Sequence, residues 1–318
     1  MDLIYTDAKR IDKGVLSAYS FDLSFGADEN DFEISLGASE PALDFGAFVY
    51  IEGTEYGGIV DSRKTASDEN TVTYGGRTWH GMLNSKVIEP DAGEDYLTVS
   101  GEANAVLAAL IARLGLTVLF TAPAKQSGIN IAAYQFHRYC KGYDGIRAML
   151  AAAGAKLNVA WQNRAVRLCA VPVTDYTAFP VDGDVARLSV RQFGQKVNHL
   201  VCLGKGELAE REVIHLYADG FGRIGDTKYY FGLDEVAEVY DNTSTEELRS
   251  DGIKKLEELR NSDTAQISIP AASSLTYDIG DIVGASDIHS GVSVAAAVGQ
   301  KIVKINNGVI KIEYKAGG

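Results

Sequence analysis

Phe45-Gly46-Ala47-Phe48-Val49 and Ile279-Gly280-Asp281-Ile282-Val283 share one pattern: an apolar residue, Gly, a variable residue, an apolar residue, Val. Two further echoes follow each stretch in the same order. Gly58-Ile59-Val60 is matched by Lys301-Ile302-Val303, and Val72-Thr73-Tyr74 by Ile312-Glu313-Tyr314. Each piece has the β-branched and aromatic character of a strand, and only the loops between them differ in length. A series kept in order near both ends of the chain predicts a duplicated β domain.

Working outward, residues 1–95 read as all-β. VLSAYSFDLSF, FEISL, FVYIEG, GIVDSR and TVTYGGR are short segments separated by turn material such as GADEND and GTEYGG. Alternation places Phe21, Leu23 and Phe25 on one face, with Asp22 and Ser24 on the other. Composition changes at 96–182. There GEANAVLAALIARL predicts an amphipathic helix over 101–114, capped by Ser100 and ended by Gly115. LTVLFT reads as a strand. A second helix is expected near 143–153, stopped by Gly154, and then a hairpin around Gln162-Asn163-Arg164. From 183 the chain is again mainly β, with LSVRQF, HLVCLG and EVIHLYA as strands. One helix is expected near 245–260, started by a capping box of Thr243 with Glu246 or Ser244 with Glu247.

The fold class expected is therefore mainly β with an α+β insert: two related β domains flanking a smaller α+β domain. The first β domain spans 1–95, and strands of 185–210 are available to complete it. The α+β domain spans 96–182, and the second β domain spans 183–318.

Charge is distributed unevenly. The net of −13 divides into −12 over 1–95, +4 over 96–182 and −5 over 183–318. So acidic a chain argues against nucleic-acid binding, which needs a surplus of Lys and Arg. The start lacks a basic-then-apolar signal, and no run approaches the roughly 18 apolar residues of a membrane helix. These features predict a soluble chain made in a cytoplasm. Cys140, Cys169 and Cys202 have no framework spacing and read as reduced structural thiols.

Four stretches resemble the hub, or tail-associated, proteins at the end of long-tailed phage tails and of phage-derived contractile particles. They are DLIYTDAKRIDKGVLSAYSFDLSFGADENDFEISL near the start, YGGIVD with TVTYGGRTWHGMLNSKVIEP, VNHLVCLGKGELAEREVIHLYAD at 197–219, and YDIGDIVGASDIHSG with KIVKINNGVIKIEYKAGG. The resemblance implies two related barrels of the tail-tube type per chain and a homotrimer whose six barrels match a six-fold tail tube above and a three-fold spike below. Implied partners are the tube protein, a spike or tail-tip protein and other baseplate proteins, with DNA only as passing cargo and no membrane insertion. The expected location is a virion tail or phage-like particle. The chain stops at Gly318, directly after the expected second barrel, which favours a contractile or short-hub system. The acids of 1–95 are expected to face the channel and repel DNA over about 8–10 Å.

No catalytic, cofactor-binding or metal site is expected. His137-x-x-Cys140 and His199-x-x-Cys202 suggest zinc, but residues three apart in a strand such as HLVC point to opposite faces. Gly204-Lys205-Gly206-Glu207 lacks the phosphate-loop spacing and reads as a hairpin turn. Asp28–Asp31 and Asp68–Asn70 lack the spacing of a calcium loop and read as solvated turns. Trp79 and Trp161 read as core or subunit-interface residues rather than a glycan groove. No Gly-x-Ser-x-Gly or His-Glu-x-x-His occurs. Two other functional readings stay open on the residues alone: a carbohydrate- or peptidoglycan-active tail protein, and a β-sandwich binding module.

Overall fold

The computed structural model describes residues 2–317 apart from 38, 66–69, 179–180, 183–186, 192–194, 244–246, 261–263, 270–275 and 288–291. The protein is mainly β with few helices, and its main feature is a sheet curled into a half-barrel. Met1–Leu188 with Gln266–Gly317 form one unit, and Ser189–Ala265 form a second.

Seven strands open the chain: β1 (Leu3–Thr6), β2 (Asp12–Leu16), β3 (Tyr19–Gly26), β4 (Asp31–Gly37), β5 (Phe48–Tyr50), β6 (Gly57–Thr65) and β7 (Thr71–Thr78). Period-two alternation sets their facing. Tyr19, Phe21, Leu23 and Phe25 of β3 and Phe32, Ile34 and Leu36 of β4 point into one core, while Asp22 and Glu33 point away. A short helix that the sequence reading did not anticipate, α1 (Trp79–Asn84), follows β7, and the Thr78 hydroxyl accepts from the Gly81 N–H at its start.

The α+β insert comprises β8 (Val87–Ile88), β9 (Thr98–Glu102), α2 (Ala103–Arg113), β10 (Phe120–Thr121), β11 (Asn130–Gln135), β12 (Cys140–Lys141), α3 (Gly142–Ala152), β13 (Ala155–Gln162) and β14 (Ala165–Pro172). The cap of α2 is Glu102, whose carboxylate accepts from the Ala105 N–H at 3.0 Å, and not Ser100; Gly101, at φ 121°, turns the chain just before it. Gly115 and Gly154 do terminate the two helices in the left-handed region. The hairpin β13–β14 turns at Asn163 and Arg164, both at positive φ. LTVLFT yields only the two residues of β10, because Leu119 and Phe120 close a turn onto Leu116.

The rest of the chain gives β15 (Val181–Asp182), β16 (Arg187–Arg191), β17 (His199–Leu203), β18 (Val213–Ala218), β19 (Ile224–Gly225), β20 (Ala237–Asp241), α4 (Leu248–Arg260), β21 (Thr264–Ile269), β22 (Ile282–Asp287), β23 (Val292–Asn306) and β24 (Val309–Ala316). Ser244 and Glu246 of the expected capping boxes lie outside the described residues. The long sheet runs β16-β21-β24-β23-β3-β4-β7-β6-β5-β1-β2, with β22 beside β23 and β15 beside β22.

The expected boundaries need correction. Residues 183–318 do not form one barrel. β21 to β24 continue the sheet begun by residues 3–78, and 189–265 form the second unit. The strand that joins the first half is also not from 185–210. It is β23, whose Gln300–Asn306 pair antiparallel with Ser20–Gly26 of β3. Taken by itself, the second unit is the sheet β19-β18-β17-β20, with α4 packing Leu248 and Leu256 against Leu200, Cys202 and Leu216.

The duplication is visible in the hydrogen-bond register. In the first half the Ala47 N–H bonds to Asp44 O, Gly46 N–H to Val60 O, and Val60 N–H to Ala47 O. In the second half the Asp281 N–H bonds to Asp278 O, Gly280 N–H to Val298 O, and Val298 N–H to Asp281 O. Both Gly46 and Gly280 sit at positive φ, which the turn requires. A register shift follows each valine, between Val60 and Ser62 and between Val298 and Gln300. Beyond it Arg63 faces Tyr74 as Lys301 faces Tyr314, and Thr65 faces Val72 as Val303 faces Ile312. The next strand over agrees: Ile34 faces Tyr74, and Ile269 faces Tyr314. The Leu43 N–H donates to the Tyr74 hydroxyl, and Tyr277, the counterpart of Leu43, packs edge-on against the Tyr314 ring at 5.2 Å. Thus β4, β5, β6 and β7 correspond to β21, β22, β23 and β24. The Gly46/Gly280 and Tyr74/Tyr314 echoes are in register, but the Ile59-Val60 and Ile302-Val303 echo is not, since Val60 corresponds to Val298.

Candidate functional site

The half-barrel has one packed face and one polar face. Asp22 of β3 lies opposite Glu33 of β4 on one side and Lys304 of β23 on the other. Glu33 lies opposite Gly75, and Gly75 opposite Ser62. Cross-strand partners share a face, so Asp22, Glu33, Ser62 and Lys304 form one polar stripe across five strands. Asp61 and Arg77 border it, paired at 2.7 and 2.9 Å, and the Arg77 guanidinium holds the Asp61 carboxyl below the ordinary range. The Lys304 ammonium stands 3.9 Å from Asp22. The Asp28–Asp31 turn is organised by Asn30, whose side chain bonds the Gly26 backbone at 3.0 and 2.8 Å. Glycine is required at two positions beneath this face. A Cβ on Gly76 would stand 1.9 Å from Ile59 O, and one on Gly58 would stand 2.1 Å from Arg77 O.

The corrected boundaries relocate the charge. Residues 1–95 carry −12, whereas 266–317 carry four acids and four bases, a net of zero. The −5 expected for the second barrel belongs to 189–265.

Beneath the sheet, a buried charge cluster joins the two halves and the insert. Lys301 of β23 bonds Glu55 at 2.6 Å and stands 3.5 Å from Asp278. Lys156 of β13 bonds both Asp281 oxygens at 2.7 Å and Asp278 at 3.1 Å. Asp281 also accepts from the Thr174 and Asp278 N–H groups. Burial pulls the Lys301 ammonium down, and the Glu55 carboxylate outweighs it, so the group stays charged well above its ordinary range. No motif in the sequence announced these residues.

His80 completes the cluster, with Nε2 3.5 Å from Glu55 and the ring against Phe25 and Tyr143. Burial pushes its imidazole down to about 4, against the pull of Glu55. A histidine depressed in the folded state binds its proton first in the unfolded chain. Its contribution to stability is therefore complete above pH ~6.5 and is lost as pH falls towards 4. Urea titrations at pH 7 and pH 4.5 should show wild type losing about 2–3 kcal/mol more than His80→Gln; equal losses would clear His80 of this role.

The other candidates fall apart as sites. His199 and Cys202 face opposite sides of β17: the His199 ring bonds Glu235 at 2.6 Å and His215 at 2.9 Å, while Cys202 lies in the core under α4. His137 is exposed and accepts the Cys140 N–H only through its backbone. Among the described residues no group of three His, Cys, Asp or Glu is placed to hold a metal. Gly204-Lys205-Gly206-Glu207 lies in the β17–β18 connection, where the Gly204 N–H donates to Glu212 O and the Glu212 N–H donates to Lys205 O across the loop. Asp68 and Glu69 lie outside the described residues. Trp79 and Trp161 are buried and stacked 5.1 Å apart. Among the described residues no helix is long and apolar enough to cross a membrane.

No protein-family model matches the sequence, and no curated protein matches it. Solved structures do share its fold over the whole chain. A prophage tail protein, gp18, from Listeria monocytogenes EGD-e superposes with a TM-score of 0.54 at 14% identity, covering 100% of this chain and 94% of its own. A tail protein from Neisseria meningitidis MC58 gives 0.52 at 11% identity, covering 100% and 96%. A chain of the phage P2 baseplate, in its activated conformation with Ca, gives 0.57 at 11% identity, covering 100% and 99%. The chain thus has the fold of phage and prophage tail and baseplate proteins.

Proposed function

We propose that this protein is the structural hub of a phage-type tail or baseplate, a non-enzymatic ring component that joins the six-fold tail tube to a three-fold spike or tip. One observation carries the reading: two halves with matching hydrogen-bond register lie side by side in one sheet within a single chain. Two halves per chain and three chains give six similar positions, which lets one ring meet partners of both symmetries. The whole-length fold match to tail and baseplate proteins supports the setting. In this reading the polar stripe lines the passage for DNA, and Asp22, Glu33 and Asp61 keep a polyanion from adhering to it. The +4 insert then lies outward against other baseplate proteins.

Native mass spectrometry of the protein with its tube and spike proteins should find three of these chains per complex. Any other number would count against the symmetry argument.

A further inference from the structure

Helix α3 borders both halves of the duplicated sheet, and only the first half is covered beside it. There Phe48 of β5 faces Ile59 of β6, and both are buried in one cluster with Trp79 and Leu83 of α1. The Trp79 ring meets Phe48 edge-on at 5.4 Å. In turn α1 rests on the start of α3, where a Cβ on Gly142 would stand 2.5 Å from Leu83 O. By the register given above, the counterparts of Phe48 and Ile59 are Ile282 and Ala297, which face each other between β22 and β23. No described helix takes the place of α1 there. Ile282 is half-buried and Ala297 is exposed, and with Ala148 and Ala151 of α3 they line a groove of about 710 Å³.

We propose that this groove receives a short helix of a partner protein, led by a large aromatic side chain that rests on Ile282 and Ala297. The proposal goes beyond the ring reading and does not depend on it. The chemistry of the occupant follows from α1, which fills the equivalent place in the same chain. Two exchanges shift where the ring sits. Ala297 replaces Ile59 and opens room above the sheet. Ala295 replaces Gly57, where a Cβ would stand 2.9 Å from an indole placed as Trp79 is, so the arriving ring lies nearer Ala297 and α3. The rim sets Asp144 and Asp175 against Arg147, while Lys156 is already paired with Asp281. Basic residues beside the aromatic complement that rim, as Arg77 and Lys86 flank α1. Trp79 and Trp161 are both buried, so a second copy of this chain has no tryptophan to offer.

The bare face of α3 is not that of a solvated helix. Its exposed residues are Asp144, Ala148, Ala151 and Ala152, three of them alanine. Those of α4 are Arg249, Lys254, Glu257 and Glu258, all charged, as a face turned to water requires. Small side chains let a second helix approach closely, as Gly142 does for α1. The competing account is that alanine is there only as the best helix former. That account leaves the apolar floor formed by Ile282 and Ala297 unexplained.

A fluorescein-labelled peptide of residues 77–88, which carries the α1 sequence, is the probe. In the intact protein α1 already fills the first-half place, so the peptide has only the second-half groove to enter. Fluorescence anisotropy should give a dissociation constant on the order of 0.1–1 mM. The Trp79→Ala peptide should bind about tenfold more weakly or worse. Ala151→Phe and Ala297→Phe fill the groove from its two sides, and each should weaken the unaltered peptide by about as much; circular dichroism checks that both variants fold. No saturable binding at millimolar peptide overturns the proposal. Equal binding of the Trp79→Ala peptide overturns the aromatic receptor, and unchanged binding to both filled variants overturns the groove. Self-association in sedimentation that the peptide reverses makes a second copy the occupant and overturns the partner assignment. None of these outcomes alters the count of three chains that tests the ring reading.

Discussion

Replacing Trp161 with alanine is expected to destabilise the first unit by about 3–5 kcal/mol. Trp161 lies on β13 of the insert, but its ring is buried among residues of the first half. It stacks on Trp79 at 5.1 Å, tilts over Tyr50 at 4.4 Å and meets Phe48 edge-on at 5.8 Å. Its backbone is fixed there too, with the Trp161 N–H bonded to Thr54 O and the Gly53 N–H bonded to Trp161 O. Truncation would leave a cavity between three fixed rings that the strands cannot close. Phenylalanine makes the informative comparison. The Trp161 Nε1 is buried with no hydrogen-bond partner among the described residues, so Trp161→Phe removes an unsatisfied donor together with part of the ring. Its cost should be about 1 kcal/mol, well below that of alanine. Urea unfolding followed by tryptophan fluorescence and circular dichroism would measure both; similar costs would mean the site collapses freely or the indole N–H is satisfied after all.

Lys301→Met should cost a similar amount for a different reason. The ammonium is 7% exposed, and Glu55, its closest partner, is 17% exposed. Removing the cation leaves a carboxylate in a site that has lost its solvent, a loss of about 3–5 kcal/mol for buried pairs. The double variant Lys301→Met with Glu55→Met discriminates. If the single loss comes from the stranded charge, the double variant recovers most of it, because a buried pair contributes little beyond what well-packed apolar groups would. Chemical denaturation of the two singles and the double completes the cycle. A double variant as unstable as the sum of the singles would show that packing, not charge, is what the lysine supplies.

The sequence made parts of this fold legible for definite physical reasons. Gly46 and Gly280 mark the same turn because both need a left-handed backbone, and Tyr74 and Tyr314 because each meets the residue just before that turn, Leu43 and Tyr277. Apolar alternation identified the inward face of β3. The shared Ile-Val pair misled, since such a dipeptide fits almost any strand, and the irregularity after Val60 and Val298 that fixes the true register has no side-chain signature. The domain boundary was missed because the second unit is inserted between β16 and β21, where the first half has only the short turn from Gly26 to Asp31. Local pattern cannot show that a strand pair is interrupted by an intervening unit. The charge cluster stayed hidden for a related reason: Lys156 meets Asp281 across 125 positions and Lys301 meets Glu55 across 246, so no spacing rule applies.

The seam between β3 and β23 also bears on how the molecule is made. Asn306 pairs with Ser20, so the first half must wait for almost the whole chain before its edge is covered. At about 5–20 residues per second on the ribosome, that interval is roughly 15–60 s. During it β3 offers an unpaired edge flanked by Phe21, Leu23 and Phe25, the kind of surface on which strands of other nascent chains can dock. Pairing across so many positions is also slow to form, because loop closure precedes any reward. High-level synthesis therefore favours exchange, with β23 of one chain taking β3 of another, and yields tangled oligomers built from native contacts. Slow translation, low temperature or a chaperone that covers the β3 edge shifts the outcome towards separate, correctly closed chains.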